Sequence, residues 1–144
     1  MRDLFIELDD LLFLGTKHTL RKRVIELTEI NEKKLVLDLM TGTADSSILA
    51  AKNGGKIIGV DFSKSMLKIG DRKISKAGLN TISLVQDNGE TLPFKVNTFD
   101  TVICTFGIDT VYDPEMVIHE MIRVAKESAL ICVAYKSFPK NSIV

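Results

Sequence analysis

Two acidic residues carry the chemistry that this sequence makes most visible. Asp38 closes the apolar run in Lys34–Asp45, KLVLDLMTGTAD, and Asp61 closes the one in Ile57–Met66, IIGVDFSKSM. In each stretch a buried-strand pattern gives way to a turn of small polar residues and then to the start of a helix. That order sets a carboxylate at the carboxyl edge of a parallel sheet, where α/β folds hold small ligands. Asp38 can balance a positive charge there, and Asp61 is placed to accept hydrogen bonds from a pair of hydroxyls. The backbone N–H groups of Thr41–Ala44 can take a carboxylate, and Gly42 permits close approach or a positive φ. A third turn, Asp87-Asn88-Gly89, offers further polar atoms.

The elements that must position these residues follow from apolar periodicity. Leu35–Leu39 is a continuous apolar strand, as expected where both faces are covered. A helix over Asp45–Lys52 stops at Asn53-Gly54-Gly55, and Lys56–Val60 is the next strand. Ser63 caps a helix that turns Met66, Leu67 and Ile74 inward and ends at Gly78. Thr81–Gln86 and Thr101–Phe106 are strands three and four. Asp113-Pro114 opens a helix, with Asp as cap and Pro at its first position, which carries Met116, Val117, Met121, Val124 and Ala125 to about Lys126. Ala129–Tyr135 is strand five. Upstream, Leu4, Phe5, Leu8, Leu11 and Leu12, then Leu20, Val24, Ile25 and Leu27, recur at helical spacing on either side of Gly15. The expectation is one domain: a helical segment over residues 1–31, then a ligand-binding unit over 32–144. Its class is α/β, a doubly wound, Rossmann-like, mainly parallel sheet of about five strands with helices on both faces.

The totals narrow the partners. With 144 residues the chain is long enough to bury a core, since roughly 68–70% of unfolded surface disappears at about this size. Nineteen basic residues balance nineteen acidic ones, which gives no electrostatic case for nucleic acid. No apolar run approaches the ~20 residues of a membrane span. These features, without a secretory leader, predict a soluble cytoplasmic protein. Cys104 and Cys132 lie in apolar runs and read as buried thiols rather than a disulfide. The basic run Lys17–Arg23 reads as a solvated helix face, with a site steering an anionic group as the sharper alternative.

The dinucleotide fingerprint G-x-G-x-x-G fails at the first turn, where its three positions are Met40, Gly42 and Asp45. Asp45 would put a negative charge where a pyrophosphate must meet the helix N-terminus. A ligand without phosphate, bearing an ammonium, a carboxylate and a sulfonium, suits the turn better. Asp38, and Asp45 through water, would balance its positive charges, Asp61 its ribose hydroxyls, and Asp87-Asn88-Gly89 an adenine edge. Phe62 and Met66 would cover the adenine faces. The ligand so described is S-adenosylmethionine.

The same residues carry a family resemblance. VLDLMTGTAD (Val36–Asp45), GVDFSKSMLKIG (Gly59–Gly70), DNGETLPF (Asp87–Phe94), NTFDTV (Asn97–Val102), TFG (Thr105–Gly107) and HEMIRVAK (His119–Lys126) stand in register with one family. The chain resembles the class I S-adenosylmethionine-dependent methyltransferases, and within them the ubiquinone/menaquinone biosynthesis C-methyltransferases, up to Pro139. The resemblance implies donor contacts at Thr43, Asp61, Asn88-Gly89 and Thr105. Together with the direct reading, the candidate donor-binding residues are Asp38, Thr41, Gly42, Thr43, Asp61, Phe62, Met66, Asp87, Asn88, Gly89 and Thr105.

The sequence departs from that family at four places. Met40 replaces a small residue. FGLRN after strand four becomes Phe106-Gly107-Ile108-Asp109-Thr110, which reverses the local charge on the acceptor side. The KPGG turn is Lys126-Glu127-Ser128-Ala129. The family's last two strands and covering helical segment have no counterpart before Val144. Strand five, reading ALICVAY, would then be an uncharged bare edge, and the expectation is that a second copy, a partner subunit or the C-terminal tail covers it.

The implied reaction is methyl transfer to a small, aromatic or quinone-like acceptor, with peripheral membrane contact if that acceptor is a lipid quinone. Positioning can supply most of such a rate, and no metal-ligand spacing is evident. His18 and Asp109 are the candidate bases for deprotonating a ring hydroxyl. His119 reads as a solvated residue on the outer face of its helix with Glu120 and Arg123, and Tyr112 as either a pocket wall or packing. The alternative function is a shortened methyltransferase-like protein that binds S-adenosylmethionine or S-adenosylhomocysteine without catalysing alone, as a subunit or regulator. A nicotinamide-dependent oxidoreductase is disfavoured by Met40 and Asp45.

Overall fold

The computed structural model describes residues 2–9 and 17–137. In chain order the elements are β1 (Arg2–Asp9), α1 (Lys17–Leu27), β2 (Leu35–Leu39), α2 (Asp45–Lys52), β3 (Lys56–Asp61), α3 (Lys64–Lys76), β4 (Ile82–Gln86), β5 (Phe99–Thr105), a 3-10 turn (Ile108–Thr110), α4 (Pro114–Val124) and β6 (Ala125–Ser137). The six strands form one sheet in the order β1-β6-β5-β2-β3-β4, and every pairing is parallel. β3 and β4 lie on one side of β2, while β5 and β6 lie on the other. The direction of winding therefore reverses between β2 and β5, and a crevice opens at their carboxyl ends.

Alternate residues of each central strand feed opposite faces of the sheet. Leu37, Leu39, Val102, Cys104, Ile131 and Val133 pack with Val117, Met121 and Val124 of α4. Val36, Ile57, Ile103, Cys132 and Ala134 pack with Val24 and Ile25 of α1 and Ala50 and Ala51 of α2. Both clusters exclude water almost completely, and each fully buried branched side chain contributes roughly 1.5–3 kcal/mol. This two-sided covering explains why β2 and β5 read as continuous apolar runs.

The helix starts follow their capping residues. Ser63 accepts a hydrogen bond from the Met66 N–H at 3.4 Å, and Asp113 accepts one from the Met116 N–H at 3.1 Å, with Pro114 just inside the helix. α2 differs, because its cap is Ala44 in the left-handed conformation and offers no side-chain acceptor.

Three expectations need correction. Arg2–Asp9 is a strand, not the first part of a helical segment over residues 1–31; within the described residues only Lys17–Leu27 of that segment is helical. Leu4, Ile6 and Leu8 also fit a strand's period of two, and pairing with an open sheet edge overrides a short segment's helical spacing. Leu11, Leu12 and Gly15 lie outside the described residues. Consequently β6 is not a bare edge: β1 pairs with it from Arg2↔Leu130 to Asp9↔Ser137, so its covering comes from this chain's own N-terminal strand rather than requiring a second copy, a partner or the C-terminal tail. Last, Met66 does not pack inward with Leu67 and Ile74. It is 41% exposed, as the half-turn of α3 that carries it faces the carboxyl edge.

The segment 126–129, in place of the family's tight turn, is absorbed as an irregularity in β6. Phe99 pairs with Ala125 but Thr101 with Leu130. Asp100 pins the adjoining region by accepting from the Leu35 N–H at 2.9 Å and from Lys126 Nζ at 2.8 Å, and the Lys126 charge and these bonds hold its carboxyl below the usual range against partial burial.

Candidate functional site

The turn after β2 sets the geometry of the carboxyl edge. Met40, Gly42 and Ala44 all take positive φ, at 58°, 57° and 66°. For Met40 and Ala44 the left-handed conformation costs roughly 1–2 kcal/mol each. Phe106, at the end of β5, has φ 61°, so three of the strained residues gather at one end of the sheet. Such strain persists only where the surroundings hold it in place.

For Met40 those surroundings are two glycines from other turns. A Cβ on Gly107 would lie 2.5 Å from Met40 Cβ, and one on Gly89 would lie 3.3 Å from Met40 Cε. Met40 therefore fills a gap between the turns after β4 and β5 that exists only because both neighbours lack side chains. Cys104 Sγ lies 3.9 Å from Met40 Sδ. Burial pushes the Cys104 thiol up to about 12 and the Cys132 thiol up to about 11, and both cysteines are free. Neither has thiolate character for nucleophilic chemistry.

Asp38 is completely buried. Its Oδ2 accepts from Thr41 Oγ1 and Ser47 Oγ, each at 2.7 Å, while Oδ1 has no partner among the described residues. Burial raises its carboxyl to about 6, opposed by the Ser47 and Thr41 hydrogen bonds and the positive charge of Arg21. A buried polar atom without a partner is costly, which is the same burial that raises the carboxyl.

Asp61 ties two turns together. Its Oδ2 accepts from the Gly42 N–H at 2.8 Å and its Oδ1 from the Ser63 N–H at 2.9 Å. A carboxylate offers about four acceptor positions, so about two remain for a pair of hydroxyls. The Asp87 N–H donates to the Asp61 carbonyl at 3.1 Å, which joins the third turn to the second. There Asp87 Oδ1 accepts from the Asn88 N–H at 2.7 Å, and Asn88 Oδ1 from the Glu90 N–H at 3.0 Å.

A cavity of about 310 Å³ lies over this edge, within the range of small-molecule sites. Asp61, Phe62, Asp87, Asn88 and Gly89, five of the expected donor-binding residues, line it together with Met40. Glu90, Thr110, Val111 and Tyr112 also line it. Phe62 and Tyr112 are 76% and 100% exposed, so two aromatic rings stand at its mouth with faces free.

The remaining expected residues lie around this cavity rather than in its wall. Asp38, Thr41 and Gly42 form the floor of the first turn. Met66 touches that turn, its Cε 3.8 Å from where a Gly42 Cβ would stand. Thr105 is buried with its Oγ1 2.7 Å from Ser46 Oγ. Thr43 Oγ1 accepts from Lys73 Nζ at 3.1 Å. Lys73 also pairs with Asp45, and Arg21 Nη1 stands 3.9 Å from the same carboxylate. Asp45 is thus occupied by basic side chains. Of the candidate bases, His18 is exposed on α1 and Asp109 is exposed on the 3-10 turn. Neither is in the cavity wall, although Asp109 directly precedes Thr110, which is.

Two groups escape the sequence reading. Arg21 and Lys17 of the basic run lie 5.4 and 5.8 Å from the centre of the Phe106 ring, so one face of that run turns toward the edge, while Arg23 pairs with Glu26 away from it. Glu120 and Arg123 form not a solvated face but a clamp. Arg123 donates to both Glu120 oxygens and to the Phe94 and Leu92 carbonyls, and the Leu92 N–H donates back to Glu120. Arg123 and the Leu92 N–H hold the Glu120 carboxyl below the usual range despite partial burial. The spacing of Glu120 and Arg123, one turn apart, was the available signal. His119 is exposed, as expected. Among the described residues no helix is long and apolar enough to cross a membrane, and no cluster of three His, Cys, Asp or Glu could hold a metal ion.

Comparison with known proteins gives one answer. A family model described as the ubiE/COQ5 methyltransferase family matches residues 3–144. Demethylmenaquinone methyltransferase from Listeria monocytogenes is 39% identical over 117 residues, covering 78% of this chain and 49% of that protein. The enzyme of that name from Geobacillus stearothermophilus is 38% identical over 117 residues, covering 78% and 50%. The chain therefore spans about half the length of the curated relatives it matches. Among solved structures, the YcgJ protein of Bacillus subtilis superposes with a TM-score of 0.82 at 22% identity, covering 88% of this chain and 54% of that one. A SAM-dependent methyltransferase from Aquifex aeolicus superposes with a TM-score of 0.74 at 23% identity, covering 91% and 73%. These two show the shared fold.

Proposed function

Because this chain belongs to the ubiE/COQ5 methyltransferase family, we propose that it binds S-adenosylmethionine at the carboxyl edge and serves methyl transfer to a small, aromatic or quinone-like acceptor. The observation that carries this reading is the pairing of Asp61 with the Gly42 N–H. That bond ties the turn after β2 to the Asp61 carboxylate, which lines the cavity.

The residues fit the donor group by group. Asp61 keeps acceptor positions for two ribose hydroxyls. Asp87 and Asn88 border the cavity where an adenine edge would lie, with the free face of Phe62 beside them. The unpartnered Oδ1 of Asp38 suits an ammonium. When bound, the donor supplies an already activated sulfonium methyl, so the protein has only to bind, orient and exclude water. Positioning of that kind is worth as much as ~7–11 kcal/mol.

On the acceptor side, Thr110, Val111 and Tyr112 close the cavity opposite the donor turns, and a flat aromatic acceptor would stack on Tyr112. Asp109 is the nearest candidate for receiving a ring-hydroxyl proton. Calorimetric titration tests the proposal: S-adenosylmethionine and S-adenosylhomocysteine should bind and NAD should not. Binding of NAD alone, or of none of the three, would sink it. A methyl-release assay with a panel of quinols then reads turnover; donor binding without methyl release would favour a binding subunit or regulator.

A further inference from the structure

Among the described residues, the cavity over the carboxyl edge is lined by the acidic residues Asp61, Asp87 and Glu90 and by no lysine, arginine or histidine. Two of the three serve the donor turns. Asp61 takes an N–H on each oxygen, and Asp87 Oδ1 takes the Asn88 N–H. Glu90 is placed differently. Its backbone N–H donates to Asn88 Oδ1 at 3.0 Å, while its own Oε1 accepts from the Asp113 N–H at 3.3 Å. Asp113 directly follows Tyr112. The main chain of Glu90 therefore belongs to the turn after β4, and its carboxylate reaches across to the segment that closes the acceptor side. The bond to Asp113 is long, and no hydrogen bond among the described residues reaches Oε2.

The other polar groups on that side have little to offer a ligand. The Thr110 hydroxyl donates to the Gly107 carbonyl at 2.7 Å, which commits its hydrogen. The Asp113 N–H is taken by Glu90, and the Tyr112 hydroxyl sits on a fully exposed ring. The free carboxylate oxygen of Glu90 is thus the strongest polar group there. A carboxylate accepts hydrogen bonds and donates none. It favours a ligand that brings an O–H and repels one that brings a carbonyl oxygen, a repulsive contact that adds to selectivity. A hydroquinone and its quinone have nearly the same shape and differ in that respect.

Resting on the function proposed above, we propose that Glu90 is a specificity-determining residue that reads the oxidation state of the acceptor. Its Oε2 accepts a hydrogen bond from a ring hydroxyl of the reduced form and turns away the carbonyl of the oxidised form. The reduced ring is also the one suited to methyl transfer, because its hydroxyl oxygens feed electron density to the ring carbon that attacks the sulfonium methyl. The quinone ring is electron-poor and cannot attack. Glu90 thereby keeps an unreactive look-alike out of the acceptor side of the cavity.

The test uses the full 144-residue chain, saturated with S-adenosylhomocysteine and kept free of oxygen, with menadiol and its oxidised form menadione as probes. Calorimetry should show the unaltered protein preferring menadiol by roughly tenfold or more, as expected of a hydrogen bond to a charged group. Glu90→Gln keeps an oxygen for the Asp113 N–H and turns an amide NH2 to the ligand, which can donate to a carbonyl or to a hydroxyl oxygen. Its preference should therefore fall to within about threefold, with S-adenosylhomocysteine affinity held within about twofold. That affinity also reports that the variant is folded. A Glu90→Gln protein that keeps the full preference for menadiol overturns the proposal. So does an unaltered protein that binds both probes alike or binds neither. A large loss of S-adenosylhomocysteine affinity in Glu90→Gln overturns it too, since Glu90 would then serve the donor turn. Failure of the unaltered protein to bind S-adenosylhomocysteine at all is a separate result: it sinks the donor reading and this one with it.

Discussion

The carboxyl edge of this sheet has two halves built to different degrees of closure. On one side, the turns after β2, β3 and β4 hold each other: Gly42 to Asp61, Asp61 to Ser63, and Asp87 back to Asp61. The carboxylates of Asp61 and Asp87 and the amide oxygen of Asn88 each accept a backbone N–H before any ligand arrives. On the other side, the segment from Gly107 to Tyr112 is held by packing against Met40 and by bonds within its own 3-10 turn. It presents Asp109 and Tyr112 to solvent. The first half is preorganised for a ligand of defined shape. In the second, the exposed side chains of Asp109 and Tyr112 are free to change without disturbing the sheet.

If this contrast is right, Asp61→Asn should be the most damaging conservative change. The amide replaces one acceptor oxygen by a donor, which must then face either the Gly42 N–H or the Ser63 N–H. Losing a charged hydrogen bond and leaving a donor opposed by a donor costs roughly 2–4 kcal/mol. Donor affinity measured by calorimetry should fall more than about a hundredfold, and thermal melting should drop as well. An Asp61→Asn protein that binds S-adenosylhomocysteine normally would show that the two turns are not locked by this carboxylate.

Asp38 exposes the one unfinished part of the closed half. Its folded carboxyl sits at about 6 and its unfolded one near 3.8, so the native state holds a proton that the unfolded state gives up first. Stability is therefore highest below the unfolded value and is lost as pH rises through about 6, by roughly 3 kcal/mol in all. Asp38→Asn should flatten that loss between about pH 4 and 6 in denaturant melts. Donor affinity near neutral pH should fall about tenfold or more in the same variant. Stabilisation without loss of binding would separate Asp38 from the ligand.

The seam between the halves is Met40. Gly107→Ala should place a methyl 2.5 Å from Met40 Cβ and cost about 1–3 kcal/mol of stability, as overpacking does. Met40→Gly should recover most of that in the double variant, since it removes both the clash and the left-handed strain. Additive losses in the double-mutant cycle would mean that the two sites do not touch in solution.

Much of the closed half was legible in the sequence, for a physical reason. Its central strand β2 is buried on both faces and α3 starts at its Ser63 cap, so local pattern and tertiary environment agree. Asp61 could be read as an acceptor of hydroxyls; that it also binds the Gly42 N–H could not, because the pairing spans nineteen residues and depends on strand register. Met40 stood out as a departure, but its compensation by Gly89 and Gly107 appears only when three turns converge. Arg21 was hidden in a basic run whose members differ only in which way α1 faces. The segment at residues 2–9 misled because Leu4, Phe5 and Leu8 fit a helix while Leu4, Ile6 and Leu8 fit a strand, and the open edge of β6 decided between them.

The smallest expected effect lies in the open half and is the sharpest check on the contrast. Asp109→Arg with Thr110→Asn reverses the charge at the acceptor mouth. Asp109 and Thr110 are both exposed, and the exchange gives up only the Thr110 hydroxyl's bond to the Gly107 carbonyl, so stability should fall by no more than about 1 kcal/mol. The hydrogen bonds that tie the donor turns together involve neither Asp109 nor Thr110, so S-adenosylhomocysteine affinity should change by no more than about twofold. Any effect should instead appear in which quinols support methyl release, since only the acceptor meets these two side chains. A large loss of donor affinity in this double variant would show that the halves are coupled through Met40 and Gly107, and that the acceptor side helps hold the donor turns in their strained conformation.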